Sequence, residues 1–147
     1  MNLYSFYMSF SRFTEHFQSL SLLIARCLIA YGFYAPAMNK WSDINSVAEW
    51  FGTLGIPFPL INAYMAATTE IVGVGLLVLG LFTRLISLPL IVVMIVAIFT
   101  VHIDNGFSAG TNGFEIPLYY MIFLIIFVAH GAGRFSLDHI FFNNDNY

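Results

Sequence analysis

Charged residues are scarce in this sequence. Its 147 residues include five Lys or Arg and eight Asp or Glu, so 9% are charged and 59% are apolar. An ordinary soluble domain has about 25% charged residues. So few charges cannot cover the surface of such a chain in water, which excludes a soluble globule and predicts that most of the surface faces lipid. The net charge of -3 argues against a nucleic acid partner.

Cysteine is nearly absent as well. Cys27 is the single cysteine, which excludes an internal disulfide and a Cys-x-x-Cys redox pair. The sequence also lacks a catalytic-triad pattern, a Walker motif and a dinucleotide-binding motif. Gly73 and Gly75 lie within an apolar stretch instead of following a strand, and the third glycine of that motif is missing. Autonomous catalytic activity therefore has no support in the sequence.

Four apolar stretches dominate what is present. They cover residues 20–38, 60–82, 85–103 and 116–132. Each is near the roughly 17 to 25 residues that cross a bilayer as a helix. We therefore predict an all-α integral membrane protein, with a single domain over residues 1–147 that forms a four-transmembrane-helix bundle.

Positive residues outside these stretches predict the orientation. Arg12, Arg84 and Arg134 fall on one side of the membrane, and Lys40 falls on the other. Loops rich in Lys and Arg stay in the cytoplasm. We predict a protein of the inner membrane with both termini in the cytoplasm, and with the loops that carry Lys40 and Asp104 facing outward.

Two segments outside the stretches are amphipathic. Residues 39–59 place apolar side chains at helical spacing, with Ser42 or Asp43 as the N-cap, which predicts an amphipathic interfacial helix on the outer surface between helices 1 and 2. An ordinary loop is the alternative. Residues 1–17 lack the features of a signal peptide and are rich in aromatics, which favours a second interfacial helix. The tail, residues 134–147, is predicted to fray.

Arg26 and Glu70 are charged residues within the predicted spans. A charge at the bilayer centre costs about 2.5 to 3.5 kcal/mol on insertion scales, so such a group needs a partner. At 1.5 Å per residue, Arg26 lies about 10 Å and Glu70 about 17 Å from the cytoplasmic ends of their helices. We predict an Arg26–Glu70 ion pair inside the bundle. The pair either fixes helix register or lines a polar cavity for a substrate or a proton.

Further polar residues gather in the outward-facing segments. Lys40, Asp43, His102 and Glu115 share this side, so their convergence at an outer mouth is predicted. Solvated loop residues are the alternative.

Small residues recur in the second apolar stretch. Ala66, Gly73 and Gly80 lie seven residues apart. Small residues at this period let a neighbouring backbone approach closely. We predict that these three positions serve packing and not ligand binding.

Metal and haem sites find little support. A bis-histidine haem needs two His at matching depth, whereas His102 lies near the outer end and His130 near the inner end of their spans. Cu(I) prefers sulfur ligands, and four sulfur-bearing residues fall at two depths of the bundle. Cys27 and Met94 share the inner depth, and Met65 and Met121 share the outer depth, so together they could form a ladder of Cu(I) ligands across the membrane. The alternative is that these side chains fill gaps in the core. We predict no resident metal.

Six short segments stand in a definite order along residues 20–138. They are Arg26, residues 36–40 (Pro-Ala-Met-Asn-Lys), 55–57 (Gly-Ile-Pro), 69–73 (Thr-Glu-Ile-Val-Gly), 80–84 (Gly-Leu-Phe-Thr-Arg) and 112–115 (Asn-Gly-Phe-Glu). In order and spacing they resemble the DoxX family of small four-helix membrane proteins. Residues 40–43 and 112–115 are more similar to its HvfX-like subgroup, whose members are encoded beside enzymes that make copper-binding modified peptides.

The resemblance implies positions and a general role. The family's characteristic polar and glycine positions correspond to Arg26, Lys40, Glu70, Gly80, Arg84 and Glu115. Some relatives are linked to quinone-coupled oxidation of sulfur compounds, and others to membrane complexes that protect against oxidants or to thiol homeostasis. The resemblance therefore implies an accessory subunit of a redox or metal-stress system, copper stress included, with protein partners in a membrane complex.

Three functional hypotheses follow. The first is quinone binding at the buried Arg/Glu site, with Arg26 donating hydrogen bonds to a carbonyl oxygen and Tyr31 or Phe33 flanking the ring. The second is a small transporter or exporter for copper, a copper-binding peptide or protons, with Glu70 as the titrating group. The third is a membrane scaffold for soluble partners. A homodimer is compatible with all three.

Overall fold

The computed structural model describes residues 3–15 and 17–142, and these residues form helices joined by short loops. The helices are α1 (Leu3–Glu15), α2 (Gln18–Ser42), α3 (Ile44–Thr53), α4 (Pro59–Leu79), α5 (Thr83–Ala97), α6 (Glu115–His130) and α7 (Leu137–Phe142). A π-helical turn, Ile98–His102, and a 3-10 turn, Ile103–Asn105, extend α5, and a second 3-10 turn, Ala109–Thr111, precedes α6. The predicted all-α class is confirmed.

Three of these segments are long and apolar enough to cross a membrane: Gln18–Ser42, Pro59–Leu79 and Thr83–Asn105. The fourth apolar helix, α6, has only 16 residues, so a fourth crossing stays a prediction. α4 ends at Leu79, before the predicted residue 82, because Gly80 adopts a left-handed φ of 65°. Its N–H, like that of Leu81, turns back to carbonyls of the last helical turn, which closes the helix.

The four long helices form two packed pairs. α2 packs mainly against α4, α5 packs mainly against α6, and α4 also contacts α5. Ile29, Phe33, Leu77, Leu90 and Phe127 are among the buried residues of the core between them. We call the end of the bundle where α2 stops and α4 begins the Lys40 end, and the opposite end the Arg26 end.

α3 caps the Lys40 end. Its apolar side packs Ala48 and Phe51 against Ala63 of α4. Asp43 is the N-cap, and its carboxylate accepts from the backbone N–H of Ser46 at 3.2 Å and from its hydroxyl at 2.6 Å. These hydrogen bonds lower the pKa of Asp43, so the cap is present at neutral pH and is lost only when the pH falls through that lowered value. A helix therefore occupies this segment, while its place at the membrane surface stays a prediction.

The predicted N-terminal helix is present, whereas the C-terminal segment is more ordered than predicted. α1 is a helix, as predicted, and its aromatic side chains from Tyr4 to Phe13 are exposed. His16 and residues 143–147 lie outside the described residues. The tail was predicted to fray from residue 134, but Leu137–Phe142 is helical, because Asp138 donates its N–H to the carbonyl of Gly80 at 2.9 Å and so joins the tail to the bundle.

Candidate functional site

A cavity of about 440 Å³ lies between the helices in the half of the bundle nearest the Lys40 end. Its volume falls within the roughly 300 to 1,000 Å³ of small-molecule sites. The wall is mostly apolar. Its polar side chains are those of Lys40, Asn62, Thr69, Glu70, Thr100, His102 and Tyr120.

Close contacts between helices confine the cavity to that half. A Cβ added to Gly73 of α4 would lie 2.9 Å from Leu90 Cδ1 of α5, and a Cβ added to Gly32 of α2 would collide with the hydroxyl of Tyr120 of α6. The helices are therefore tightly packed at these two levels. Nearer the Lys40 end they separate, and Trp50 and Phe51 of α3 complete the wall.

An ion pair lies in the cavity wall. Lys40 Nζ donates to both carboxylate oxygens of Glu70, at 3.0 and 2.8 Å. The Glu70 side chain is 3% exposed and that of Lys40 is 20% exposed. An ammonium group has three N–H donors, so one donor of Lys40 remains after both bonds to Glu70 are made. This donor is available to an acceptor in the cavity.

The predicted ion pair between Arg26 and Glu70 is wrong. Arg26 is fully buried, but its Nη1 donates to the carbonyl of Leu77 at 3.1 Å and its Nη2 to the carbonyl of Phe135 at 2.5 Å. Leu77 belongs to the last turn of α4, where backbone carbonyls lack partners within the helix. Arg26 is level with that turn, while Lys40 reaches Glu70 from the other end of α2.

The Arg26 end also contains a helix cap supplied by a separate element. Asp138 of α7 accepts from the backbone N–H of Phe82 at 2.7 Å and of Thr83 at 3.0 Å, at the start of α5. A carboxylate there satisfies free N–H groups and interacts favourably with the helix dipole. Asp138 therefore ties the C-terminal segment to the turn between α4 and α5.

Loss of this cap should destabilise the protein moderately. We expect Asp138→Ala to lower the free energy of unfolding by about 0.5 to 2 kcal/mol, the usual range for removing an N-cap side chain. Asp138→Asn keeps an acceptor oxygen and should cost less. Thermal unfolding in detergent micelles, followed by circular dichroism, measures both. An Asp138→Ala protein with the melting temperature of the parent would contradict this role.

The predicted outer mouth forms only in part. Lys40 and His102 line the cavity. Asp43 instead caps α3, and Glu115 accepts hydrogen bonds from the N–H of Ala109 at 2.9 Å and the hydroxyl of Tyr119 at 3.2 Å. These two carboxylates serve local structure, so the four residues do not converge.

His102 has a defined orientation. It lies in the π-helical turn after α5, and its Nδ1 is 2.8 Å from the carbonyl oxygen of Asn112. Because a carbonyl only accepts, Nδ1 carries the hydrogen. In a neutral imidazole with the hydrogen on Nδ1, Nε2 is the acceptor nitrogen.

The other residues singled out from the sequence occupy varied positions. Gly73 faces Leu90 and Gly80 faces Arg26, whereas Ala66 lines the cavity. The four sulfur-bearing residues of the proposed Cu(I) site have different surroundings. Met65 and Met94 border the same cavity, Cys27 is exposed, and Met121 packs against the core.

Tyr120 is a cavity residue that the sequence did not reveal. Its ring packs on Phe33 with the centroids 5.5 Å apart, so Phe33 lies in the wall as predicted for a ring-flanking residue. Tyr31, the other predicted flanking residue, is 79% exposed and does not line the cavity, so that prediction is wrong. Gly32 is the one signal available in the sequence, since a glycine inside a span indicates a close approach.

Comparison with known proteins identifies the family of this chain. The DoxX family profile matches residues 21–103, which is more than half of the chain and includes Arg26, Lys40, Glu70 and His102. The chain belongs to the DoxX family. This DoxX protein is 36% identical over 123 residues to an uncharacterized protein of Haemophilus influenzae, covering 81% of this chain and 82% of the relative.

Two further relatives have more descriptive names. The DoxX chain is 27% identical over 124 residues to "Putative oxidoreductase CatD" of Bacillus subtilis, covering 84% of this chain and 88% of that protein. It is 34% identical over 63 residues to "Inner membrane protein YphA" of Escherichia coli, covering 43% and 45%. No solved structure matches the chain. The protein is thus a DoxX-family membrane protein with several apolar helices.

Proposed function

We propose that this DoxX-family protein is a membrane-embedded accessory subunit of a redox system and that it binds a quinone-type carrier in the cavity beside Lys40 and Glu70. The ion pair in a largely apolar cavity is the observation that carries this proposal. A quinone combines carbonyl acceptors with an apolar ring. The remaining N–H of Lys40 donates to one carbonyl oxygen, and the apolar wall surrounds the ring. Arg26 has no such role, because its guanidinium donates to backbone carbonyls.

The open side of the cavity supports a lipid-soluble ligand. Met65 of α4 and Val92 and Val96 of α5 line the cavity, yet they are 61%, 58% and 42% exposed on the chain. In a bundle with four crossings these side chains face hydrocarbon. A ligand with an isoprenoid tail then enters from the bilayer, and its tail remains among the lipids.

The proposal includes a membrane arrangement. With α6 as the fourth crossing, three of the arginines outside the spans, at positions 12, 84 and 134, lie opposite Lys40, which favours cytoplasmic termini. α3 then lies flat on the outer surface and α1 on the inner surface. Under this arrangement the cavity opens within the outer half of the bilayer.

A partner must supply the redox chemistry. The sequence has a single cysteine and no redox-centre motif, so electron transfer to a bound quinone needs another subunit. The relative named "Putative oxidoreductase CatD" supports the redox class. The narrower copper-stress role is supported by the similarity of residues 40–43 and 112–115 to the HvfX-like subgroup.

Fluorescence of Trp50 tests quinone binding. Trp50 lines the cavity, and a Trp41→Phe variant makes it the sole tryptophan, since the chain has two. In nanodiscs, 1,4-naphthoquinone should quench Trp50 saturably, and a Lys40→Met, Glu70→Met double substitution should weaken binding about tenfold or more. The matched control is Trp50→Phe, in which only Trp41 reports. Equal and unsaturable quenching in both single-tryptophan proteins would overturn the proposal.

The same preparation separates the alternatives. Proton or copper flux in liposomes that is lost in Glu70→Gln, without saturable quenching, would instead favour a transporter. Capture of soluble partners that survives Lys40→Met and Glu70→Gln, again without quenching, would favour a scaffold.

A further inference from the structure

We propose that the hydroxyl of Tyr120 is a second hydrogen-bond donor of the cavity, and that the site thereby selects flat ligands with acceptors at two opposite ends. This inference rests on the proposed function and adds to it a residue that determines specificity. The 1,4-diketone ring of a quinone has this acceptor pattern.

The first observation is that the hydroxyl of Tyr120 has no internal partner. Among residues 3–15 and 17–142 it takes part in no hydrogen bond, although it lines the cavity and is partly buried. The adjacent Tyr119 differs, because it is exposed and donates to Glu115 at 3.2 Å. A tyrosine hydroxyl in mostly apolar surroundings usually finds a partner, since leaving it without one there costs free energy. A ligand carbonyl in the cavity supplies that partner.

The second observation is that the ring of Tyr120 is held in place. It packs on Phe33 at 5.5 Å between centroids, and its hydroxyl lies against Gly32, where any larger residue would collide with it. Gly32 therefore lets the hydroxyl approach α2 and fixes its height in the bundle. A donor that is already oriented loses little conformational entropy when a ligand binds.

The third observation is the placement of the two donors along the cavity. Gly32, Pro36 and Lys40 recur every four residues on α2, and all three line the cavity. Residues at this spacing lie on one helix face. The Tyr120 hydroxyl lies against Gly32 at one end of this stripe, and the backbone of Lys40 lies at the other end, with its ammonium group held at Glu70. A ligand between the two ends can accept from both.

Selective loss of affinity tests the inference. In nanodiscs, isothermal titration calorimetry compares 1,4-naphthoquinone, which has two carbonyls, with 1-tetralone, which has one. The single carbonyl of 1-tetralone should bind the charged donor of Lys40, because charge-assisted hydrogen bonds are the stronger ones. Tyr120→Phe should weaken naphthoquinone binding about fivefold, the effect of one hydrogen bond, and leave 1-tetralone binding unchanged.

Controls separate specificity from packing. Tyr119→Phe removes the neighbouring hydroxyl outside the cavity and should change neither ligand. Gly32→Ala displaces the Tyr120 hydroxyl without removing it and should reproduce the selective loss. If Tyr120→Phe weakened both ligands equally, or neither, the inference would be wrong while quinone binding stood. If the parent protein bound neither ligand, both the proposed function and this inference would fail.

Discussion

Lys40→Met is expected to destabilise the protein more than Glu70→Gln, although each substitution breaks the same ion pair. Lys40→Met leaves the Glu70 carboxylate, which is 3% exposed, without a counterion. Removing one partner of a buried pair costs about 3 to 5 kcal/mol. Glu70→Gln leaves the ammonium instead, and Lys40, only two residues from the end of α2, can turn its side chain toward water. Glu70→Gln should therefore lower the free energy of unfolding less than Lys40→Met does.

The double substitution Lys40→Met, Glu70→Met should recover most of that loss, because it leaves no unpaired charge in the bundle. Thermal unfolding of all variants in the same detergent gives the coupling between the two residues as a double-mutant cycle. Arg84→Met removes an exposed cation at the Arg26 end and should shift stability by no more than about 0.5 kcal/mol. Strictly additive costs for the two single substitutions would show that the pair does not act as a unit.

Identifying the partners of Arg26 and Glu70 required the correct ends of α2 and α4, and the sequence predicted both ends inaccurately. The first span was predicted to stop at residue 38, which put Lys40 at the outer mouth, beyond the end of the helix, but α2 continues to Ser42. Lys40 therefore belongs to the same helix face as Gly32 and points toward Glu70. The second span was predicted to reach residue 82, which hid the helix end where Arg26 binds the carbonyl of Leu77.

Depth along the membrane was a second source of error. Counting 1.5 Å per residue locates a Cα atom, whereas the charged groups of Lys and Arg lie far from it at the end of long side chains. Arg26 and Glu70 were correctly identified as needing partners, and both are buried. The choice between the available partners could not follow from Cα depth alone.

The fold could be predicted further than the cavity. Apolar length and a cap residue are local signals, so the long helices and the start of α3 at Asp43 followed from the sequence. The cavity depends on contacts between distant segments, such as Gly32 with Tyr120 and Gly73 with Leu90. No local pattern relates those residues, and Tyr120 therefore escaped notice.

Gly80→Ala is expected to produce the largest loss of stability at the Arg26 end. Gly80 has a φ of 65°, which costs an L-residue about 1 to 2 kcal/mol. An added Cβ would also collide with Nη1 of Arg26 and lie 2.6 Å from Cβ of Ser136. Moving Arg26 breaks the hydrogen bond from its Nη1 to the Leu77 carbonyl, and a buried donor without a partner costs about 1 to 3 kcal/mol. The sum predicts a loss of about 3 kcal/mol or more.

Gly75→Ala is the matched control, because the same helix and the same chemical change are involved. A Cβ at Gly75 meets no atom within 4 Å, so the substitution should stabilise α4 by about 0.5 to 1 kcal/mol. Similar melting temperatures for the two variants would contradict the proposed contact between Gly80 and Arg26. Because this contact lies at the opposite end from the cavity, the folded fraction of Gly80→Ala should bind 1,4-naphthoquinone as the parent does. A loss of affinity that exceeds the loss of folded protein would show that Arg26 and the cavity are coupled through α4.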